Sequence, residues 1–240
     1  MSRPARNGER FDLVVFDADD TLWRSEDYFS LAEQFFADQV GPYAPDGVDV
    51  LADLHRIEVG NVPVSGYGVK PYALSMVEAA VHVTGGTVPS SVILALVEYS
   101  YDMLQHPVEL LDGVADTLAE LHRSHHLALI TKGDLLHQMR KFRASGLAPL
   151  FGRVRVVEEK DTETYREVFT EWSVTADRTL MVGNSIRSDV LPVLELGGYG
   201  IHVPYHTTWS HEHVNDHPGG FTELPRLADL PAWLADTQGG

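Results

Sequence analysis

The chain has 240 residues, of which 44% are hydrophobic and 22% charged, a balance typical of a globular protein with a sizeable core. Its 35 acidic and 18 basic residues give a formal net charge of -17, which argues against nucleic acid or an anionic membrane as a partner. The absence of cysteine excludes disulfides, thiolate catalysis and cysteine-bound metals. No apolar run reaches the ~20 residues of a membrane span and no signal-peptide pattern is present, so we expect a cytoplasmic protein.

Five short apolar runs predict strands that are covered on both faces, as in a parallel sheet. These runs are Phe11–Phe16, Leu127–Ile130, Val154–Val157, Thr179–Val182 and Gly198–Val203. Helical patterns lie between them, over Gly113–His125, Leu135–Ala144, Thr162–Trp172 and Ile186–Leu196. Strands that alternate with helices predict an α/β fold with a doubly wound, Rossmann-like parallel sheet.

The segment from about residue 24 to residue 107 interrupts this alternation with amphipathic helical patterns. They cover Tyr28–Val40, Val48–Val59, Tyr72–Val83 and Ser90–Leu104, and two loops, GPYAPDG and GNVPVSGYGVKP, separate parts of the segment. We therefore predict a core domain of residues 1–23 and 108–240. Residues 24–107 are predicted to form a helical cap domain inserted after the first strand.

Polar side chains follow the first four predicted strands, where each strand ends. They are Asp17 and Asp19, Thr131 and Lys132, Glu158 and Lys160, and Asn184 and Asp189. In open α/β sheets, ligands bind at the carboxyl ends of the strands. We therefore expect these four groups to face one crevice.

The first of these groups suggests paired carboxylate chemistry. Asp17 and Asp19 could divide the work, one attacking an electrophile while the other gives a proton to the leaving group and later takes one from water. The alternative is an Asp-rich turn that caps a helix. That alternative explains neither the apolar strand directly before the pair nor the threonine at position 21.

The sequence FDADDTL resembles motif I (DxDxT/V) of the haloacid dehalogenase-like superfamily, most of whose members are phosphotransferases. The resemblance implies that Asp17 forms an aspartyl-phosphate and that Asp19 is the general acid/base. It places the chain in the phosphatase branch with an α-helical, C1-type cap. The second aspartate is usually absent from true dehalogenases, so Asp19 favours phosphoryl chemistry.

Two further segments resemble motifs II and III of the same superfamily. LITKGD places Thr131 at a strand end, where its hydroxyl could donate to a phosphoryl oxygen, although alone it could equally cap a helix. Lys160 is the best match to the motif III lysine, which would neutralise charge between nucleophile and phosphoryl group. One alternative is that Lys160 is an ordinary solvated lysine. The other is that Lys132 is the motif III lysine, although its position directly after Thr131 fits motif II better.

VGNSIRSD resembles motif IV, usually GDxxxD or GDxxxxD, whose acidic groups bind Mg²⁺ with the first aspartate and a backbone carbonyl of motif I. The resemblance implies a Mg²⁺ site formed by Asp17, Asp19, Asn184 and Asp189. Asn184 stands where an aspartate is frequent. One negative charge is therefore lost, and we expect a lower affinity for Mg²⁺.

The substrate should be chosen outside these motifs. The segment Ser65–Lys70 combines flexible glycines with Tyr67 and Lys70, which could meet a second anionic group, or it could be a plain turn between helices. The other candidates for substrate contact are Thr21, Arg24, Lys132 and Gly133. The His-rich segment Pro204–His213 could bind a transition metal, but a loop or a subunit contact fits its irregular spacing better.

The sequence thus predicts a Mg²⁺-dependent phosphatase that acts on a small-molecule phosphomonoester, with no nucleic-acid or membrane partner. A homodimer stays open. A phosphomutase of the same fold stays open. A catalytically weak phosphometabolite-binding protein also stays open, and Asn184 would then be the first departure from the catalytic motifs. A dehalogenase is disfavoured by Asp19.

Overall fold

A computed structural model describes residues 10–207, 209 and 219–238 of the chain. The chain divides into two compact units. The first comprises Met1–Arg24, Val108–Lys132 and Gln138–Gly240, and the second comprises Ser25–Pro107 and Gly133–His137. The short second piece, 133–137, belongs to a unit that is otherwise a single insertion.

The first unit contains a six-stranded sheet in the order β3-β2-β1-β4-β5-β6, and every neighbouring pair is parallel. The strands are β1 Leu13–Phe16, β2 His126–Lys132, β3 Arg153–Val157, β4 Thr179–Gly183, β5 Tyr199–His202 and β6 Thr222–Glu223. This confirms the predicted α/β fold. Strand β6 was not predicted, because two residues are too few to show a periodic pattern.

Nine α-helices accompany the sheet in the described part of the chain. Those that follow the insertion are α5 Val114–Leu121, α6 Leu135–Ala144, α7 Thr162–Trp172, α8 Leu191–Glu195 and α9 Leu230–Gln238. Those of the insertion are α1 Glu26–Val40, α2 Val50–Ser65, α3 Val69–Val83 and α4 Ser90–Gln105. None of the helices in the described ranges is both long and apolar enough to cross a membrane.

The central strand β1 is fully buried because both faces of the sheet are covered. Successive side chains of a strand point to opposite faces. Val14 accordingly packs in one apolar cluster with Leu118 of α5, whereas Val15 packs in another with Tyr165 of α7. With both faces covered, the polar side chains that follow the strands are gathered at the carboxyl edge of the sheet.

The second unit has an apolar core of its own. Phe36, Leu54, Met76 and Leu96, one from each of its four long helices, are fully buried in a single cluster. Since this cluster is separate from the two that flank the sheet, the second unit is stabilised largely by contacts among its own helices.

The loop predicted over residues 60–71 is mostly helical, so this prediction was wrong. Helix α2 continues through Pro63 to Ser65, and the turn before α3 is only residues 66–68. Asn61 holds the last turn of α2 against α3, because its side-chain amide donates to Ser75 Oγ at 3.2 Å and to Glu78 Oε2 at 2.8 Å. These tertiary contacts stabilise the turn that contains Pro63, against the cost of a proline inside a helix.

Candidate active site

A tight turn follows β1 and carries the two predicted carboxylates. The Asp17 N–H still donates to the Val182 carbonyl of β4 at 2.9 Å, and the Ala18 carbonyl then accepts from Leu22 N–H at 2.8 Å. Asp20 has φ +62°, in the left-handed region that aspartate tolerates better than most residues. The turn thus follows directly from the end of the central strand.

Asp17 is buried and contacted on both carboxylate oxygens. The Lys160 ammonium donates to its Oδ1 in a short contact, and the Thr21 hydroxyl lies 3.0 Å from its Oδ2. Burial raises the pKa of Asp17 to about 7, against the lowering effect of Lys160 and with a further increase from Asp189. An ionised Asp17 is therefore costly in this site unless more positive charge is supplied.

Lys160 is buried between two carboxylates. Its ammonium donates to Asp189 Oδ1 at 2.7 Å as well as to Asp17, and Asp189 Oδ2 accepts from the Ser185 N–H at 3.0 Å. Burial alone would lower the pKa of Lys160, but the two carboxylates outweigh it and hold that pKa well above its ordinary value. When both carboxylates are ionised, one ammonium between them leaves a buried group with one net negative charge.

Lys132 and Thr131, at the end of β2, occupy different surroundings. The Lys132 ammonium donates to Ser188 Oγ at 3.0 Å and lies 3.5 Å from Glu159 Oε1, so it already has partners within the protein. Thr131 is buried, and its Oγ1 accepts from Gln138 Nε2 at 3.0 Å. Of the two lysines considered for motif III, Lys160 is the one in contact with Asp17.

The Asp19 carboxylate accepts from three side chains. Trp23 Nε1 and Lys141 Nζ donate to its Oδ1 at 2.6 and 2.5 Å, and Gln138 Nε2 donates to its Oδ2 at 2.8 Å. Burial would raise the pKa of Asp19, but Lys141 and the two other donors outweigh it and hold that pKa below its usual value. The sequence analysis missed Gln138 and Lys141, whose spacing of three places both on one face of α6.

Thr21 links the turn after β1 to the loop after β4. Its hydroxyl oxygen accepts from the Asn184 N–H at 3.1 Å and lies 3.2 Å from Asn184 Oδ1, in addition to its contact with Asp17. A hydroxyl has one proton and can donate to only one of the two oxygens at a time. An Asp17 oxygen and an Asn184 oxygen thus both lie within 3.2 Å of the Thr21 hydroxyl oxygen.

These oxygens fit Mg²⁺, which prefers oxygen ligands and keeps several waters. Asp17 and Asn184, whose oxygens both lie near the Thr21 hydroxyl, would bind the ion directly, whereas Asp189 is held by Lys160 and Ser185 and would contribute only its negative charge. Asp19 would contribute its backbone carbonyl, since its carboxylate is turned to three donors. Within residues 10–207, 209 and 219–238, no group of three or more carboxylate or imidazole side chains forms a metal cluster.

Replacing Gly183 with alanine is expected to destabilise the protein by about 1–3 kcal/mol. A Cβ at this position would lie 2.1 Å from Asp189 Oδ2, so Asp189 would be pushed away from Lys160. Urea denaturation measures the loss. Gly152→Ala is the matched control, because its Cβ would meet only the Leu127 carbonyl at 3.9 Å; an equal loss in both variants would contradict the prediction.

Arg24 and Lys70, two of the three cations predicted to contact the substrate, are paired with carboxylates. Arg24 Nε lies 3.8 Å from Glu109 in the first unit, and Lys70 Nζ lies 2.9 Å from Asp134 Oδ2 in the second. The Lys70 pair is part of what joins residues 133–137 to the second unit. A substrate anion would have to compete with Asp134 for Lys70.

The remaining predicted substrate contacts are less defined. Tyr67 lies in the three-residue turn between α2 and α3 and is partly buried. Gly133 has φ +120°, a conformation that favours glycine, so its place in the turn after β2 has a conformational reason. Of the His-rich segment considered for a transition metal, His211 and His213 lie outside the described residues.

Comparison with known proteins agrees with the geometry. A family model for haloacid dehalogenase-like hydrolases matches residues 11–197, more than three quarters of the chain. A haloacid dehalogenase-like family hydrolase from Xanthomonas campestris is 41% identical, with a TM-score of 0.86 over 98% of this chain and 96% of its own.

More distant relatives share the fold. YfnB of Bacillus subtilis, named as a HAD hydrolase, is 30% identical over 103 residues, a match of 40% of this chain and 44% of the relative. A crystal structure of YfnB bound to magnesium is similar over 95% of this chain and 100% of its own, with 20% identity and a TM-score of 0.67. A 2-haloacid dehalogenase from Pseudomonas syringae is 23% identical, with a TM-score of 0.63 over 95% of this chain and 99% of its own. The chain belongs to the haloacid dehalogenase-like hydrolases.

Proposed function

We propose that the protein is a Mg²⁺-dependent phosphatase that hydrolyses a small-molecule phosphomonoester through an aspartyl-phosphate on Asp17. The observation that carries the proposal is the second carboxylate, Asp19, two residues beyond Asp17 and fixed by three donors. An alcohol leaving group needs a proton in the transition state, whereas a halide leaves without one. A second, firmly held carboxylate therefore supports phosphoester rather than carbon–halogen cleavage.

The reaction consists of two in-line displacements at phosphorus. In the first, an Asp17 oxygen bonds to phosphorus, the bond to the ester oxygen breaks, and Asp19 gives that oxygen a proton. Asp19 must therefore enter this step protonated, although Lys141 and the two other donors favour its ionised form. In the second, water attacks phosphorus, Asp19 takes a proton from the water, and the bond to Asp17 breaks to release inorganic phosphate. Thr131 and Lys160 supply hydrogen-bond donors for the phosphoryl oxygens.

Mg²⁺ held by Asp17, Asn184 and the Asp19 carbonyl would offset the buried negative charge and polarise the phosphoryl group. The residues around it have separate tasks. The Lys160 ammonium lies between Asp17 and Asp189 and reduces the repulsion between their carboxylates. Thr21 links the loop that carries Asp17 to the loop that carries Asn184. Asn184 is the ligand in which this chain departs from the family pattern.

Asn184→Asp is expected to lower the Mg²⁺ concentration that gives half-maximal turnover by about tenfold, because it adds a negative charge to the ligand set. Asn184→Ala, which removes the ligand oxygen, should raise that concentration. Titration of Mg²⁺ into a phosphatase assay measures both changes. Equal Mg²⁺ requirements in all three proteins would show that Asn184 is not a ligand.

The proposal is tested by measuring phosphate release from p-nitrophenyl phosphate and a panel of small phosphomonoesters, with Mg²⁺ and with a chelator. Halide release from a 2-haloacid is measured in parallel. We expect Mg²⁺-dependent phosphate release that is lost in Asp17→Asn. Halide release without phosphate release would favour a dehalogenase, and binding of phosphoesters without any turnover would favour the binding-protein alternative.

A further inference from the structure

Two side chains of α6 hold the carboxylate of Asp19. Lys141 Nζ donates to Oδ1 at 2.5 Å and Gln138 Nε2 donates to Oδ2 at 2.8 Å. Neither is an ordinary surface residue, since the Gln138 residue is only 4% exposed and the Lys141 side chain only 16%. A donor on each oxygen fixes the rotation of the carboxylate about its Cβ–Cγ bond, which a single donor would not do.

Gln138 also connects Asp19 to the end of β2. Its Nε2 lies 3.0 Å from Thr131 Oγ1 and 2.6 Å from the Lys132 carbonyl oxygen. Three acceptors thus surround an amide nitrogen that has only two hydrogens. One side chain therefore links the proposed acid/base carboxylate to the proposed phosphoryl-binding hydroxyl.

The arrangement around Gln138 is not what stability alone would select. Its Oε1 is buried and has no hydrogen-bond partner among the described residues. A buried polar atom left without a partner costs about 1–3 kcal/mol. An apolar side chain of similar volume would avoid that cost but would lose the links to Asp19 and Thr131.

Lys141 adds a charge that the turn itself does not supply. The turn after β1 contributes only the neutral Trp23 Nε1, which shares Oδ1 with Lys141. The Lys141 ammonium is thus the cationic partner of the Asp19 carboxylate. Charge-assisted hydrogen bonds are shorter and stronger than neutral ones. Helix α6 begins three residues after the end of β2, so only a short turn separates the helix from the strand that carries Thr131.

We propose that Lys141 and Gln138 are positioning residues for the acid/base step, which hold the Asp19 carboxylate in line with the leaving oxygen and with the attacking water. The proposal rests on the proposed phosphatase function. Both residues act through their hydrogen bonds to Asp19, and neither is assigned a contact with the substrate. Replacing either residue should therefore slow the reaction most for the substrates that depend most on proton transfer by Asp19.

The test compares two substrates whose leaving groups differ in their need for a proton. Nitrophenolate leaves as a stable anion, whereas an alkoxide must be protonated. We compare kcat/KM, which reports formation of the phosphoenzyme, for p-nitrophenyl phosphate and for an alkyl phosphomonoester. Lys141→Met and Gln138→Met are each expected to lower it for the alkyl ester by about tenfold to a hundredfold, with a much smaller loss for the aryl ester.

A second comparison separates positioning from general stabilisation. In an Asp19→Asn background, Lys141→Met should have little further effect on the alkyl ester, because residues that act as a unit are non-additive. Lys141→Arg keeps a charged donor and should restore part of the activity. Arg143→Met, at an exposed position of the same helix, is the control and should match the wild type.

The outcomes distinguish the two proposals. If the wild type releases no phosphate from any ester, the proposed function fails. If it turns over both esters through Asp17, but the Lys141 and Gln138 variants slow them equally or add to Asp19→Asn, only the positioning proposal fails. If urea denaturation shows that Lys141→Met is not folded, the same comparison of the two esters is made with Gln138→Met.

Discussion

Lys160→Met is expected to lower the free energy of unfolding by about 3–5 kcal/mol and to abolish turnover. The Lys160 ammonium is buried and donates to Asp17 and Asp189, which are buried as well. Without the ammonium, both carboxylates are left in a poorly solvated site with no cation between them. Urea denaturation in the presence of a chelator measures the loss without interference from a bound metal.

Two companion variants make this prediction specific. Lys160→Met combined with Asp189→Asn should recover part of the lost stability, because one unpaired carboxylate is removed with the lysine. Lys132→Met is the matched control for stability, since the Lys132 ammonium donates to a hydroxyl and lies 3.5 Å from the partly exposed Glu159. If Lys160→Met were no less stable than Lys132→Met, the buried charge group would not have the energetic role described.

Asp17→Asn is expected to have opposite effects on activity and on stability. Turnover should be lost, because an amide cannot form the aspartyl-phosphate. The metal-free protein should become more stable at pH 8 by about 1–4 kcal/mol, because burial raises the pKa of Asp17 to about 7 and the ionised carboxylate is therefore unfavourable in the folded state.

The pH dependence of that gain follows from the direction of the shift. The folded state binds a proton at Asp17 more tightly than the unfolded state does, so stability from this group is present at low pH and is lost as the pH rises towards 7. The advantage of asparagine should be largest above pH 7 and should disappear towards pH 4. Mg²⁺ should reverse the order, because it binds the folded wild type more tightly.

Thermal denaturation at pH 8 and pH 5, with chelator and with Mg²⁺, measures these differences. Asp12→Asn is the control of opposite sign, because a hydrogen bond from Arg178 lowers the pKa of Asp12 below its ordinary value. That variant should be slightly less stable at pH 8. A chelated Asp17→Asn protein that is less stable than the wild type at pH 8 would contradict the electrostatic description of the site.

The regular parts of the fold could be predicted because local sequence determines them. Helix α7 has the predicted bounds, with Asp161 capping its N-terminus through the Thr164 N–H at 2.8 Å. The end of α2 was mispredicted because contacts from Asn61 to α3, which no local pattern reveals, extend the helix beyond Pro63.

The site shows the same division between local and long-range information. The sequence predicted that Asp17 and Lys160 face one crevice at the carboxyl ends of the strands, and the structure places them in contact although β2 lies between the strands that they follow. Gln138 and Lys141 are separated from Asp19 by 119 and 122 positions, and their contacts depend on how α6 packs against the turn after β1. A polar pair three residues apart on a helix is too common to have identified them.

The most direct test of the account is to trap the phosphoenzyme. In Asp19→Asn, the water of the second displacement loses its base, so protein mixed with p-nitrophenyl phosphate and Mg²⁺ and then acid-quenched should accumulate one phosphoryl group. Peptide mass spectrometry is predicted to place that group on Asp17, and to find none in Asp17→Asn. Wild-type turnover without a phosphorylated Asp17 in the trapped protein, or with the phosphoryl group on another residue, would contradict the account.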